Sequence, residues 1–179
     1  MARRKNPLKQ KKRKRVTVEL APRENAGKVT APYRIMEGLI RTDRADLKGV
    51  KIAILFANNW RQDADGILRL GTAKPIGSSD RELAEYDCKI TLNRAAFDVF
   101  KDEQRERLIY HELEHLQVCV DKNGEAVRDD KGRLVFRCRK HDVEEHSAVI
   151  KKYGLGDSLS ELAKSLIADA QRPLLQEAK

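Results

Sequence analysis

The segment His111-Glu112-Leu113-Glu114-His115 constrains this chain more than any other. Residues four apart on a helix stand on one face, so a helix here would let both imidazoles reach one metal ion. In that setting the H-E-x-x-H pattern carries a zinc-hydrolase mechanism. Glu112 follows the first histidine and could flank the metal and take a proton from water. The plainer alternative is an amphipathic helix that happens to hold two of the chain's four histidines. The flanks predict a helix in either case. Asp102 can cap its N-terminus, and Glu103 in the first turn suits the helix dipole. Residues 103–117 contain no Gly or Pro, and Leu108, Ile109, Leu113 and Leu116 recur at helical spacing. The histidines border that stripe, at the rim of a cleft, and Tyr110 reads as a packing residue.

A length of 179 residues predicts one domain with a real core. Hydrophobic residues make up 40% and charged residues 36%, the balance of a soluble globule, and no apolar run suits a membrane span. The basic N-terminus has no apolar segment after it, so no secretory signal is expected and a cytoplasmic location follows. Reduced thiols are then expected for Cys88, Cys119 and Cys138. A hairpin could bring Cys119 opposite Cys138 as a disulfide or a second metal site, although no C-x-x-C spacing supports a zinc cluster.

Charge is unevenly spread. Residues 1–15 hold nine of the 37 Lys and Arg and no acid, so the other 28 bases balance the 28 acids. The result is a neutral domain with a basic arm that repels itself and has little to bury. Such an arm either contacts nucleic acid or another polyanion through counterion release, or serves as a solvated tail. It has no aromatic residue for base stacking, which argues against sequence-specific readout.

Residues 16–30 read as an irregular lead-in. Tyr33–Leu47 predicts a helix on the stripe Ile35, Leu39, Ile40. Val50–Ala57 predicts a strand, Gly66–Ala73 a weaker one and Tyr86–Leu92 a third. Asn58 and Asn59 predict a turn, and Pro75, Gly77, Ser78 and Ser79 a loop. Asn93–Phe100 predicts a short helix. Val118–Val120 and Leu134–Phe136 flank a polar stretch with two glycine turns, the pattern of a β-hairpin with a long charged tip. Two more helices are predicted, His141–Tyr153 stopped by Gly154 and Gly156, and Ser158–Ala170 followed by Pro173. No internal repeat is evident.

Catalytic zinc usually takes three protein ligands, so two histidines need a partner. The candidates lie in His141-Asp142-Val143-Glu144-Glu145-His146. His141 comes first, because the hairpin can fold it back to the metal helix. Glu145 and His146 are alternatives, and Asp142 could orient a ligand histidine. An acidic helix start paired with Arg137, Arg139 and Lys140 would account for the same cluster without a metal. For an oxyanion stabiliser the candidates are Tyr86 and Tyr153.

The run Ile109–Leu116, the hairpin, His141–Glu145 and Tyr153-Gly154 together resemble the putative phage metallopeptidase family and, more distantly, SprT-like zinc proteases. The resemblance covers roughly residues 30–155. It implies an α+β fold with a small gluzincin-like core: a few-stranded, mostly antiparallel sheet packed on the H-E-x-x-H helix. The hairpin would stand between the metal helix and the third-ligand helix. It also implies Zn2+ held by His111, His115 and His141, with Glu112 as base. An edge strand near Tyr86–Leu92 would hold an extended peptide, in a bacterial or phage-infected cell. An aromatic is expected where His146 stands, so His146 competes as a ligand. The expected organisation is an arm at 1–15, a lead-in at 16–30, the metallopeptidase-like domain at 31–156 and a C-terminal helix and tail at 157–179. The alternative function is a nucleic-acid-associated binding protein with a structural or vestigial metal site. A weaker one is a metal-dependent hydrolase acting on something other than a peptide.

Overall fold

The structure is a computed structural model that describes residues 15–64, 66–141 and 147–153. The first fourteen residues of the arm, Asp142, Glu145, His146, the glycine stop after Tyr153 and the helix expected at 158–170 lie outside the described residues. The predicted lead-in is partly regular. Strand β1 (Thr17–Leu20) is followed by a small hairpin, β2 (Glu24–Asn25) and β3 (Lys28–Val29). Ala26 and Gly27 between them both have positive φ, as a tight type I′ turn requires.

Helix α1 (Ala31–Thr42) carries Pro32 in its first turn, which the fixed φ of proline suits, and a short 3-10 turn (Ala45–Leu47) follows it. Strand β4 (Ile52–Asn58) is the predicted apolar run, and Asn59 ends it at a φ of 59°. Strand β5 (Gly71–Pro75) lies later than the weak strand predicted over 66–73, and the predicted loop at Ser78 closes into one helical turn, α2 (Ser78–Arg81). Strand β6 (Cys88–Asn93) runs into α3 (Arg94–Val99), where the Asn93 side chain accepts from the Ala96 N–H at 3.3 Å.

The main sheet has the order β1-β4-β6-β5. β4 and β6 are parallel, and the two outer pairings are antiparallel. The α+β expectation therefore stands, with one correction. The strand expected to be an edge, β6, is paired on both sides, and the edge on that side is β5. The register aligns Ile52, Ile54 and Phe56 of β4 with Cys88, Ile90 and Leu92 of β6, and the last two with Ala73 and Gly71 of β5. Tyr33, Met36 and Leu39 of α1 share that core with Leu108, Ile109 and Leu113 of α4 (Asp102–Glu114). Each large apolar side chain buried this way contributes about 1.5–3 kcal/mol, which fixes α4 against the sheet.

The start and end of α4 differ from the sequence reading. The cap position is Lys101, whose N–H is taken by the Gln104 side chain at 2.8 Å, and Asp102 is the first helical residue. The helix stops at Glu114 instead of running to Gln117, because Leu116 already pairs with Cys138 across β7 (Leu116–Val118) and β8 (Phe136–Cys138). The hairpin tip is also more ordered than expected and contains a local repeat. Asp121 and Asp129, eight residues apart, each accept two backbone N–H groups through Oδ1, those of Asn123 and Glu125 and those of Lys131 and Arg133. Cys119, Val127 and Val135 close a ring of three main-chain hydrogen bonds between these lobes. Helix α5 (Ser147–Tyr153) packs on α4 through the fully buried Val149 and through Tyr153, whose ring meets Tyr110 edge-on at 6.0 Å. Among the described residues, no helix is long and apolar enough to cross a membrane.

Candidate metal centre

The end of α4 shapes the site. His115 caps the helix with φ −69° and ψ −22°, so it keeps helical geometry and stays on the face of His111, one turn earlier. Their rings stand 5.0 Å apart. The helix can stop there because Arg44, nearly buried, donates through Nη1 to the Leu113 carbonyl and through Nη2 to the Leu116 carbonyl at 2.6 Å. A cation at a helix C-terminus also complements the macrodipole. Asp46 holds the guanidinium by two hydrogen bonds, at 2.9 and 2.8 Å. Burial works against the Arg44 charge, but Asp46 and Glu114 outweigh it and hold its pKa above the ordinary value.

The chain leaves His115 into the hairpin and returns at Arg139. There the Arg139 N–H donates to the His115 carbonyl at 2.8 Å, and His115 Nδ1 lies 2.7 Å from the Arg139 carbonyl. A carbonyl can only accept, so Nδ1 carries the proton and Nε2 keeps its lone pair. Two residues on, His141 places its Nε2 3.1 Å from that of His111 and 3.2 Å from that of His115. Two nitrogens bound to one zinc ion at tetrahedral geometry stand roughly 3.3 Å apart, so this donor set fits the metal. Among the described residues, these three histidines form the His, Cys, Asp and Glu group placed to share an ion. His111 and His115 are half-buried and His141 is exposed, as a site open to solvent requires.

Glu112 is 2% exposed and lies against Gly71 of β5. Glu114, between the two histidines, is 3.4 Å from Arg44 and 3.5 Å from Arg139 and ties the helix end to the returning chain. The candidate oxyanion residues are engaged elsewhere. The Tyr153 hydroxyl donates to Glu106 at 2.9 Å, and burial together with that carboxylate pushes its ionisation far up. Tyr86 lines a cleft of about 860 Å³ with Arg41, Leu47 and Lys51, whose walls include none of the histidines. Cys119 and Cys138 do not face each other, because Cys138 pairs with Leu116 while Cys119 bonds to Val135. All three cysteines are free, and burial pushes the Cys88 thiol up to about 12.

Arg44 and Gly71 were not singled out in the sequence, and Arg139 was read only as part of a basic run that could pair with the acidic cluster. Arg44 lies about seventy positions before its partners, and nothing local marks it. Gly71 did carry a signal, since a glycine inside a strand often marks close approach of another group.

A family model described as putative phage metallopeptidase matches residues 28–171. No curated protein and no solved structure matches the chain.

Proposed function

Since the chain belongs to the putative phage metallopeptidase family, we propose that it is a zinc-dependent peptidase with His111, His115 and His141 as ligands and Glu112 as general base. The observation that carries this reading is the convergence of three imidazole Nε2 atoms, two of them from the helix that also bears Glu112. A zinc ion held there would supply Lewis acidity toward water and toward the scissile carbonyl. Glu112 takes a proton from the attacking water and delivers it to the departing amine, the work of a buried carboxylate that follows His111 on the same helix. His115 keeps its Nε2 lone pair directed at the cluster because Arg139 holds its Nδ1 proton. The backbone of β5 runs past Glu112, so β5, in place of β6, is the edge on which an extended peptide would lie.

The test is Glu112→Gln. Zinc content should remain stoichiometric, while hydrolysis of an unfolded protein substrate falls at least about 100-fold. Full activity in this variant would refute the mechanism. The nine charges of residues 1–15 support a second role in the same chain, placement of the peptidase on targets bound to nucleic acid. Deleting those residues should then abolish salt-dependent binding to duplex DNA and leave hydrolysis of a free substrate unchanged.

A further inference from the structure

Gly71 stands on β5 opposite Leu92, on the sheet face that α4 covers. A Cβ built at this position would lie 2.6 Å from Cδ and 2.9 Å from Cγ of Glu112, and closer still to Oε1. The three nearest heavy atoms all belong to that one side chain. Gly71 is not among the glycines with positive φ, so its backbone is open to any residue. The nearest obstacle to a side chain here is therefore the Glu112 side chain. The strand cannot readily back away. Asn93 donates its side-chain amide to the Arg69 carbonyl at 3.0 Å and its backbone N–H to the Leu70 carbonyl at 2.7 Å, pinning the two residues before Gly71.

We infer that Gly71 is a positioning residue for Glu112: its missing side chain is the space in which the carboxylate sits. Nothing in the cluster itself requires a glycine on a neighbouring strand. A methyl group would drive the carboxylate out of its place while leaving the three imidazoles, which come from α4 and the hairpin exit, where they are. This inference rests on Glu112 being the base, and its test separates the two.

The experiment is a double-mutant cycle on the full chain with Gly71→Ala and Glu112→Ala, read by thermal unfolding, zinc content and steady-state kinetics on an unfolded protein substrate. In an ordinary strand, Gly→Ala is neutral to stabilising. Here Gly71→Ala should lower the melting temperature when Glu112 is present. In the Glu112→Ala background the same substitution should leave it unchanged or raise it. The single Gly71→Ala variant should keep stoichiometric zinc and lose kcat at least about 100-fold with KM little changed, the loss of a general base. An equal drop in melting temperature in both backgrounds, loss of zinc, or unchanged kcat would each overturn the inference. Should Glu112→Gln prove fully active, the proposed mechanism fails, yet the thermal cycle still reports whether Gly71 makes room for Glu112.

Discussion

His115 and Arg139, 24 residues apart, exchange two hydrogen bonds: backbone N–H to backbone carbonyl at 2.8 Å, and ring Nδ1–H to backbone carbonyl at 2.7 Å. The exchange does two things together. It sets the tautomer of one candidate ligand, and it brings the returning chain to within two residues of another, His141. A hairpin whose ends are joined this way makes the third candidate ligand part of the helix terminus, although it is remote in sequence.

Arg139→Pro removes the N–H donor and keeps the carbonyl, so it loosens the return without deleting a ligand. Zinc affinity, measured by competition with a chromophoric chelator, should fall about 10- to 100-fold, the range for disturbing the groups that orient metal ligands. Arg139→Ala keeps both backbone groups and should leave affinity nearly unchanged. Equal losses in the two variants would show that the side chain, and not the backbone exchange, matters.

Arg44 and Arg139 both approach Glu114, yet they should differ sharply in stability. Arg44→Met leaves the Leu116 carbonyl without its donor, strips the Leu113 carbonyl of all but the His115 N–H, and leaves Asp46 without its cation. Removing one partner from such a buried network costs about 3 kcal/mol or more. Arg139→Met removes a 3.5 Å pair whose arginine is 35% exposed, and it should cost less than about 1 kcal/mol. Urea unfolding of the two variants checks the difference.

The site was legible where chemistry follows spacing, and obscure where it depends on a distant partner. His111 and His115 declare themselves at four residues' separation, and His141 was named because a hairpin lay between. The end of α4 at Glu114 was hidden because Leu116 continues the helical stripe, and the residue that terminates the helix, Arg44, is far away in the chain. β1 was missed although Val16, Val18 and Leu20 alternate with polar residues, because the segment directly follows a basic run and the strand buries neither face, holding its place by pairing with β4. β6 was expected at the edge because its real edge partner, Gly-Thr-Ala-Lys-Pro, has weak strand character and gains its place from pairing. The turn repeat at Asp121 and Asp129 escaped notice because only its hydrogen-bonding residues recur.

Tyr33 offers a test of the core. Its hydroxyl accepts the Ile54 N–H at 3.1 Å, just where β1 ends and no longer supplies an acceptor to β4. Burial raises the ionisation of this phenol above its ordinary value, so it stays neutral at physiological pH. Tyr33→Phe keeps the ring and strands a buried N–H, a cost of about 1–3 kcal/mol. Chemical denaturation should show that loss, and amide exchange at Ile54 should accelerate more than at Ile90.

The seat of α5 should weaken in acid. Lys152 reaches Asp43 at 2.8 Å and Glu106 at 3.6 Å, and so ties α5 to the end of α1 and to α4. The hydrogen bond from Lys152, helped by Thr42, lowers the Asp43 pKa below the ordinary carboxylate value. A depressed carboxylate contributes stability that is present above the unfolded pKa, about 3.9, and is lost as pH falls through the lower folded value. Asp43→Asn removes this contribution at every pH. The gap in melting temperature between wild type and variant should therefore be steady from pH 7 to about 5 and close progressively below about pH 4. Both side chains are partly exposed, at 27% and 30%, so the gap should be small and should shrink in high salt. A gap that stayed constant down to pH 2 would mean that Asp43 acts through packing or the Thr42 contact, and that the ion pair does not hold the helix.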